Sequence, residues 1–356
     1  MPSIEGGGVE KNLFLVSNYL SKKLNKVALI TISKKYKKKF NNSIEFISLT
    51  SSYWDNLSRR SKYFLSIFLL IKEILKNRNI IVFAFQANIY CIIICKLLSI
   101  KVIVRSNSAP IGWSQNPVKK LIFRFFLNLS DKVMVNSFQF KSDLKKQFNV
   151  NAVCIYNPLN FKEIKEKSKK NSFKIYSLNS KLKILNIGRF TDQKDQITLL
   201  KAFNIIKKYI KFEAVIIGRG VLKAELVNYI EENNLKNFVK IYNFVDNPYP
   251  LIKQADLFIL TSKFEGLPNV LLEALTLKKF IISSNCPTGP KEILLSNKGG
   301  LLFKVGNYKQ LSKKIIYYTQ NKNKCNKLFN NSYKELKRFD YITNLNKYLL
   351  LVKSLN

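Results

Sequence analysis

Two acids and two cations in the second half of the chain stand at spacings suited to chemistry on a charged, hydroxyl-rich substrate. Glu265 and Glu273 lie in Ala255–Cys286, ADLFILTSKFEGLPNVLLEALTLKKFIISSNC. The first falls in a tight loop, Ser262–Leu267. The second sits in the following helix, four residues after Asn269 and on its side, off the apolar face. Carboxylates accept hydrogen bonds from hydroxyls. The backbone running through Gly266, Leu267, Pro268, Asn269 and Val270 opens a helix, whose free amides can hold a phosphate or a sugar hydroxyl. Arg189 and Lys194 share the segment Gly188–Lys194 and can clamp a diphosphate, Arg bidentately and Lys as a point charge. Fixed cations there would stabilise the charge that develops on a departing diphosphate. An isolated acid pair, or one basic pair among 61 Lys and Arg residues, is by default solvated surface. For the cations, placement at a strand end in the same half as the acid pair favours function. For the acids, it is the whole string Glu265–Gly266–Leu267–Pro268–Asn269…Glu273 that does, through the resemblance given below.

The elements that must position these groups follow from hydropathy. Asp256–Thr261 and Lys279–Ser284 are short apolar runs, the pattern of strands buried on both faces. Between them a helix opens at Pro268, where proline loses no intrahelical bond. Similar strands are predicted at Lys183–Ile187, ending in Gly188–Arg189, and at Phe212–Ile217, ending in Gly218–Arg219–Gly220. Two more are predicted at Phe238–Tyr242, ending in Asn243–Phe244–Val245, and at Gly299–Phe303, and a helix at Ile197–Tyr209. Strands alternating with helices predict a parallel sheet, with ligands at the carboxyl edge. No glycine triplet of the dinucleotide type is present.

The first half repeats the rhythm. Strands are predicted near Lys26–Ile32, Ser43–Ser48, Ile80–Phe85, Lys101–Arg105, Lys132–Asn136 and Ala152–Tyr156. A loop holding Gly6, Gly7 and Gly8 leads into a helix at Lys11–Lys23, and such a loop lets backbone approach a phosphate or sugar closely. Near a terminus, glycine runs are more often a plain tail. Leu57–Leu75 and Val118–Leu129 are predicted basic-aromatic helices, the first with Arg59, Arg60 and Lys62 around Tyr63, Phe64 and Phe68. Such helices can lie on an anionic bilayer, although a core-facing helix with a charged outer face is the commoner use. Lys162–Lys181, rich in Lys, Ser and Asn, reads as a linker.

Composition removes several classes. The chain has 356 residues, enough for two ordinary domains, and 47% are hydrophobic, so it can build real cores. Its net charge of +39 favours anionic partners, though an AT-rich genome produces the same Lys and Asn richness. There is no histidine, which excludes histidine triads, histidine zinc sites and an imidazole base. Five scattered cysteines give no metal pattern and fit reduced thiols in a cytoplasmic protein. Met1 leads into a polar segment without a signal-peptide pattern, and Ile80–Val104 is too interrupted by polar residues to span a membrane.

Taken together, Gly188–Arg189…Lys194, Gly218–Arg219–Gly220 and Glu265–Gly266–Leu267–Pro268–Asn269…Glu273 resemble the donor site of family 4 (group 1) retaining glycosyltransferases of the GT-B fold. Weaker supports are the triple-glycine loop, Tyr156–Asn157–Pro158 and Thr288–Gly289–Pro290…Glu292. The resemblance implies an α/β chain of two Rossmann-like domains facing across a cleft, with the first N-terminal strand missing. It would divide as 1–170 for the acceptor, 171–335 for the nucleotide-sugar, and a C-terminal helix within 336–356 crossing back. It implies that Arg189 and Lys194 bind the diphosphate and that Glu265, with the amides after it, binds the sugar. Glu273 would take the ribose, and the backbone near Phe244 would frame the base. Where many relatives carry a histidine, this chain has Arg105–Ser106–Asn107–Ser108.

The expectation is a retaining, metal-independent transferase with no cofactor beyond a nucleotide-sugar donor. The donor is expected to be UDP-linked and to carry a hexose or N-acetylhexosamine. The acceptor is expected to be lipid-linked or a surface glycan, with the enzyme peripheral on the inner face of the plasma membrane. Two alternatives stand beside it. One is a basic nucleic-acid-binding protein, weakened because the charge is dispersed and no reading module is recognisable. The other is a different sugar-nucleotide enzyme on the same fold, such as an epimerase.

Overall fold

The computed structural model describes residues 1–2, 4, 8–32, 36–49, 54, 57–107, 116–177 and 182–355. It forms two compact units, Met1–Pro158 with Tyr341–Asn356, and Leu159–Asp340.

In the first unit, α1 (Gly8–Leu20) precedes β1 (Val27–Ile30) and β2 (Ile44–Ile47). Then come α2 (Arg59–Lys76), β3 (Ile81–Ala84), α3 (Asn88–Leu97), β4 (Lys101–Arg105) and α4 (Pro117–Leu129). β5 (Lys132–Val135), α5 (Phe138–Phe148) and β6 (Ala152–Cys154) complete its first segment. β3 to β6 form one parallel sheet in chain order, while β1 and β2 pair only with each other. Alternation along β4 sorts the core into two layers, as a period of two residues requires. Ile103 packs with Leu13, Phe14, Leu345 and Tyr348 from the terminal helices. Val102 and Val104 pack with Leu70, Ile92, Leu127 and Phe140 from α2 to α5.

In the second unit, α6 (Phe161–Lys167) is followed by β7 (Lys183–Ile187), α7 (Gln196–Ile206), β8 (Glu213–Gly218), α8 (Lys223–Glu232) and β9 (Val239–Asn243). Next come α9 (Tyr249–Gln254), β10 (Leu257–Leu260), α10 (Asn269–Thr276), β11 (Phe280–Ser284), α11 (Pro290–Ile293) and β12 (Leu301–Phe303). α12 (Tyr308–Gln320) and α13 (Lys322–Lys334) close the unit, and α14 (Tyr341–Lys353) belongs to the first. The sheet is parallel with order β12-β11-β10-β7-β8-β9. β8 and β10 are buried at every residue, which is why they read as unbroken apolar runs. The chain starts at β7, winds outward through β8 and β9, then returns to β10 on the other side of β7. That reversal is the topological switch point, where an open α/β sheet leaves a crevice at its carboxyl edge.

Four expectations need correction. Of the predicted linker Lys162–Lys181, the described residues 162–177 are no tether: α6 occupies their start, capped by the Asn160 side chain on the Glu163 amide. Ile175 and Tyr176 are buried against the second unit, with the Tyr176 hydroxyl donating to the Ile184 carbonyl at 2.8 Å. Hence the division falls after Pro158 rather than at residue 170. The first helix starts at Gly8, not Lys11, so Gly8 is a helical residue. Finally, Pro268 is the cap of α10 rather than its first helical residue.

Candidate functional site

The loops after β7 and β8 touch backbone to backbone. The Gly188 amide donates to the Ile217 carbonyl at 3.0 Å and the Phe190 amide to the Arg219 carbonyl at 2.8 Å. A Cβ on Gly218 would lie 1.9 Å from the Gly188 carbonyl oxygen, so only glycine fits. Gly220 has φ +153°, and a Cβ there would meet the Phe190 oxygen at 2.2 Å. Phe190 is wholly buried and pins the loop to the core, which leaves its neighbour Arg189 facing solvent. A 3-10 turn, Asp192–Lys194, then leads to α7, whose cap Asp195 accepts from the Thr198 amide and hydroxyl.

The loop after β10 is stitched to this turn. The Lys194 ammonium lies 2.5 Å from Glu265 Oε1, with the two side chains only 15% and 9% exposed. Ser262 Oγ donates to the same carboxylate oxygen at 2.7 Å. The Lys194 carbonyl accepts from Thr261 Oγ1 at 2.8 Å, and Gln193 Nε2 donates to the Phe264 carbonyl at 2.9 Å. Lys263 forms an ion pair with Asp192. Gln193 Oε1 also accepts from the Arg189 guanidinium at 3.4 Å, so Arg189 joins the cluster through Gln193.

A third loop backs the second. The Glu265 amide donates to the Pro287 carbonyl at 2.7 Å, and Thr288 Oγ1 donates to the Gly266 carbonyl at 2.8 Å. Gly289, at φ +90°, passes so close that a Cβ would sit 2.4 Å from that carbonyl. Cys286 lies buried behind it, its thiol pushed up to about 12 by burial, with the Glu265 charge adding. The carboxylate is therefore fixed on two sides before any ligand arrives, the condition for electrostatic preorganisation.

From Gly266 the chain turns into α10. Gly266, Leu267 and Pro268 are buried, while Asn269 and Val270 are half-buried at the helix start. Glu273 is itself buried and accepts from the Tyr249 hydroxyl at 3.3 Å. The sequence placed it off an apolar face; in fact nearly the whole helix is enclosed, from Leu271 to Thr276. At the end of β9, Phe244 is 40% exposed and the Arg219 guanidinium stacks 4.5 Å from its ring centre. A flat group offered beside a cation suits a nucleobase.

Lys194 and Glu265 are thus in direct contact, and Gly188 and Gly218 line touching loops. Two partners escaped sequence reading: Arg219 as a stacking group and Tyr249 as the group that orients Glu273. The Gly218–Arg219–Gly220 string was the available signal for the first; no local signal marked the second. Gly7 and Ser108 lie outside the described residues, and Gly8 belongs to the first unit. Arg105 is buried, donates to Asn157 Oδ1 at 2.7 Å and stacks 5.2 Å from the Phe85 ring centre; burial lowers its pKa. Among the described residues no cluster of three or more acids, cysteines or histidines could hold a metal.

A switch-point edge with a paired cation and acid, and glycines at the neighbouring turns, has the chemistry to hold an anionic, hydroxyl-bearing ligand. Residues 167–335 match the family described as Glycosyl transferases group 1. The chain is 27% identical over 357 residues to GalNAc-alpha-(1->4)-GalNAc-alpha-(1->3)-diNAcBac-PP-undecaprenol alpha-1,4-N-acetyl-D-galactosaminyltransferase of Campylobacter jejuni, covering 95% of this chain and 92% of that one. It is 32% identical to an uncharacterized glycosyltransferase of Methanocaldococcus jannaschii over 49% of this chain and 44% of the relative. A second C. jejuni protein, N-acetylgalactosamine-N,N'-diacetylbacillosaminyl-diphospho-undecaprenol 4-alpha-N-acetylgalactosaminyltransferase, is 29% identical over 58% of this chain and 56% of its own length. The matches to the last two span about half the length of each. Among solved structures, a glycosyltransferase from Rickettsia africae superposes with TM-score 0.80 at 19% identity, covering 99% of this chain and 96% of that one. Anabaena Alr3699/HepE in complex with UDP-glucose gives 0.79 at 16%, covering 99% and 98%. The fold is GT-B, built from two Rossmann-like units.

Proposed function

We propose that the chain is a retaining glycosyltransferase that moves a hexose or N-acetylhexosamine from a UDP-sugar to a lipid-linked or surface-glycan acceptor. The observation that carries this reading is the Lys194–Glu265 pair, held at the switch point between β7 and β10. Arg189 and Lys194 bind the diphosphate, with Lys194 exchanging part of its contact with Glu265 for a phosphate oxygen. Glu265 and the amides opening α10 hold the sugar, Glu273 the ribose, and Phe244 with Arg219 the base. In the transfer, the bond from the anomeric carbon to the phosphate oxygen breaks and the acceptor oxygen bonds to that carbon on the same face. The acceptor proton passes to the departing phosphate, so no imidazole is required. The cationic side chains neutralise the leaving charge in place of a metal.

The printed names of the two C. jejuni relatives, N-acetylgalactosaminyltransferases acting on undecaprenol-linked diphosphates, support a lipid-linked acceptor and an N-acetylhexosamine. The UDP-glucose found with HepE supports a uridine donor. Among the described residues no helix is long and apolar enough to cross a membrane. We place the enzyme at the cytoplasmic face of the plasma membrane, where nucleotide-sugars are made.

A thermal-shift screen with UDP-, GDP- and ADP-sugars tests the reading. UDP-sugars are expected to raise the melting temperature of the wild type, and Lys194→Ala and Glu273→Ala to abolish the rise while remaining folded. Unchanged donor affinity in both variants would sink the assignment. Product analysis from a labelled UDP-sugar separates transfer from epimerisation: label must leave the nucleotide only when an acceptor is present.

A further inference from the structure

Helix α4 has two apolar faces, and the core uses only one. Leu127 is buried, and the half-buried Phe123 and Phe126 pack with it among the side chains of α3 and α5. On the opposite side Val118, Leu121, Ile122, Phe125 and Leu129 are all exposed, Leu121 at 64% and Phe125 at 58%. At 3.6 residues per turn these five fall within an arc of about 100°, a continuous stripe. Lys120 and Arg124 flank it on one side and Lys119 on the other, and the helix carries no acid. The helix is built to stay helical: Asn116 caps it by accepting from the Val118 and Lys119 amides, and Pro117 occupies its first position.

A second apolar stripe lies on another helix of the same unit. α3 packs against both α2 and α4. α2 shows solvent a second stripe, Phe64, Phe68 and Leu75, beside Arg60 and Lys72. Its one acid, Glu73, is already paired with Lys76 at 2.6 Å.

We infer that the outer faces of α4 and α2 dock the first unit on an anionic lipid bilayer. Apolar side chains enter the acyl boundary while the flanking cations meet the headgroups. This deepens the lipid-linked reading above by naming the surface on which the acceptor would be met. Charge argues against a second copy of the chain. A symmetric contact through this face would set Lys119, Lys120 and Arg124 against their own counterparts, and like charges across an interface repel.

The experiment is co-sedimentation of the full chain with vesicles of phosphatidylcholine alone or mixed two to one with phosphatidylglycerol. Wild type is expected to pellet with the mixed vesicles and far less with the neutral ones. Leu121→Ser combined with Phe125→Ser should weaken partitioning by about thirtyfold, since both side chains lose their transfer from water. Lys119→Gln, Lys120→Gln and Arg124→Gln together should weaken it by roughly a hundredfold at low salt, the difference shrinking as salt rises. Leu121, Phe125, Lys119 and Arg124 are exposed and Lys120 is half-buried, so the serine variant should keep the wild-type melting temperature and the glutamine variant should lose little of it. Wild type left in the supernatant with anionic vesicles, or a serine variant that pellets as well as wild type, overturns the inference. So does a lipid-free dimer that the serine changes dissociate. The melting shift with UDP, measured on the same preparations, keeps the two readings apart: vesicle binding without a UDP shift defeats the donor assignment and leaves this one standing.

Discussion

Helix α10 reads NVLLEALT and helix α4 reads PVKKLIFRFFLNL; a proline caps the first and opens the second, and both are rich in leucine-sized side chains. Their surroundings differ completely. Every residue of α10 from Leu271 to Thr276 is enclosed, its lone acid included, whereas Leu127 alone is fully buried in α4. Apolar content therefore does not say whether a helix is core. The width of the apolar arc does, together with whether the next elements have a free face to offer. α10 connects β10 and β11, two adjacent strands of the second unit's sheet, and is covered on nearly every side. α4 follows β4, an inner strand of its sheet, and packs against α3 and α5, leaving its other face to solvent.

The sharpest way to break this comparison is to truncate a side chain in each. Leu271→Ala should cost about 2–5 kcal/mol in urea unfolding, because the enclosed site cannot collapse around the gap. An effect below about 1 kcal/mol would mean α10 is looser than its burial implies. Next in size, Lys194→Ala should lower transfer by about a hundredfold, measured as acceptor-dependent UDP release. It should also lower the melting temperature, since Glu265 then keeps a largely enclosed charge without its cation. A variant with normal turnover would separate the ion pair from the chemistry.

The thiol behind the loop that feeds α10 gives a pH test. Cys286 is raised from an ordinary 9.0 to about 12 by burial, with the Glu265 charge adding. A raised acid favours the folded state below its unfolded value, so that contribution is complete below pH 9 and is lost progressively as pH rises toward 12. Cys286→Ala should therefore flatten the alkaline limb of stability against pH relative to wild type, with no change near neutrality in the slope. Equal slopes for the two proteins above pH 9 would show the thiol to be accessible. The smallest effect is expected on the other helix: Leu121→Ala should change unfolding free energy by no more than about 0.5 kcal/mol. A larger loss would make the outer stripe of α4 part of the core.

Much of this was legible beforehand for a physical reason. Parallel strands enclosed on both faces must be continuous apolar runs, so β8, β10 and β11 announced themselves within about two residues. The glycines, the arginine and the first glutamate could be placed at strand ends one at a time, because each follows an apolar run that reads as a strand. Their pairing was not: Lys194 and Glu265 are 71 residues apart, and only the β7–β10 adjacency unites them. The false linker fails similarly. Phe161–Lys167 is polar enough to pass for a tether, yet Ile164 is buried and the Ile175 amide bonds to Gln254 Oε1, 79 residues away. Nothing local to residues 162–177 encodes that partner. Nor could periodicity decide which of the two faces of α4 meets the core.

The contact between Gly188 and Gly218 has a consequence for anyone redesigning these turns. With 1.9 Å between a would-be side chain and the opposing carbonyl, neither turn can be grafted, lengthened or diversified while the other is kept. The two are a single cassette and can be exchanged only as one piece.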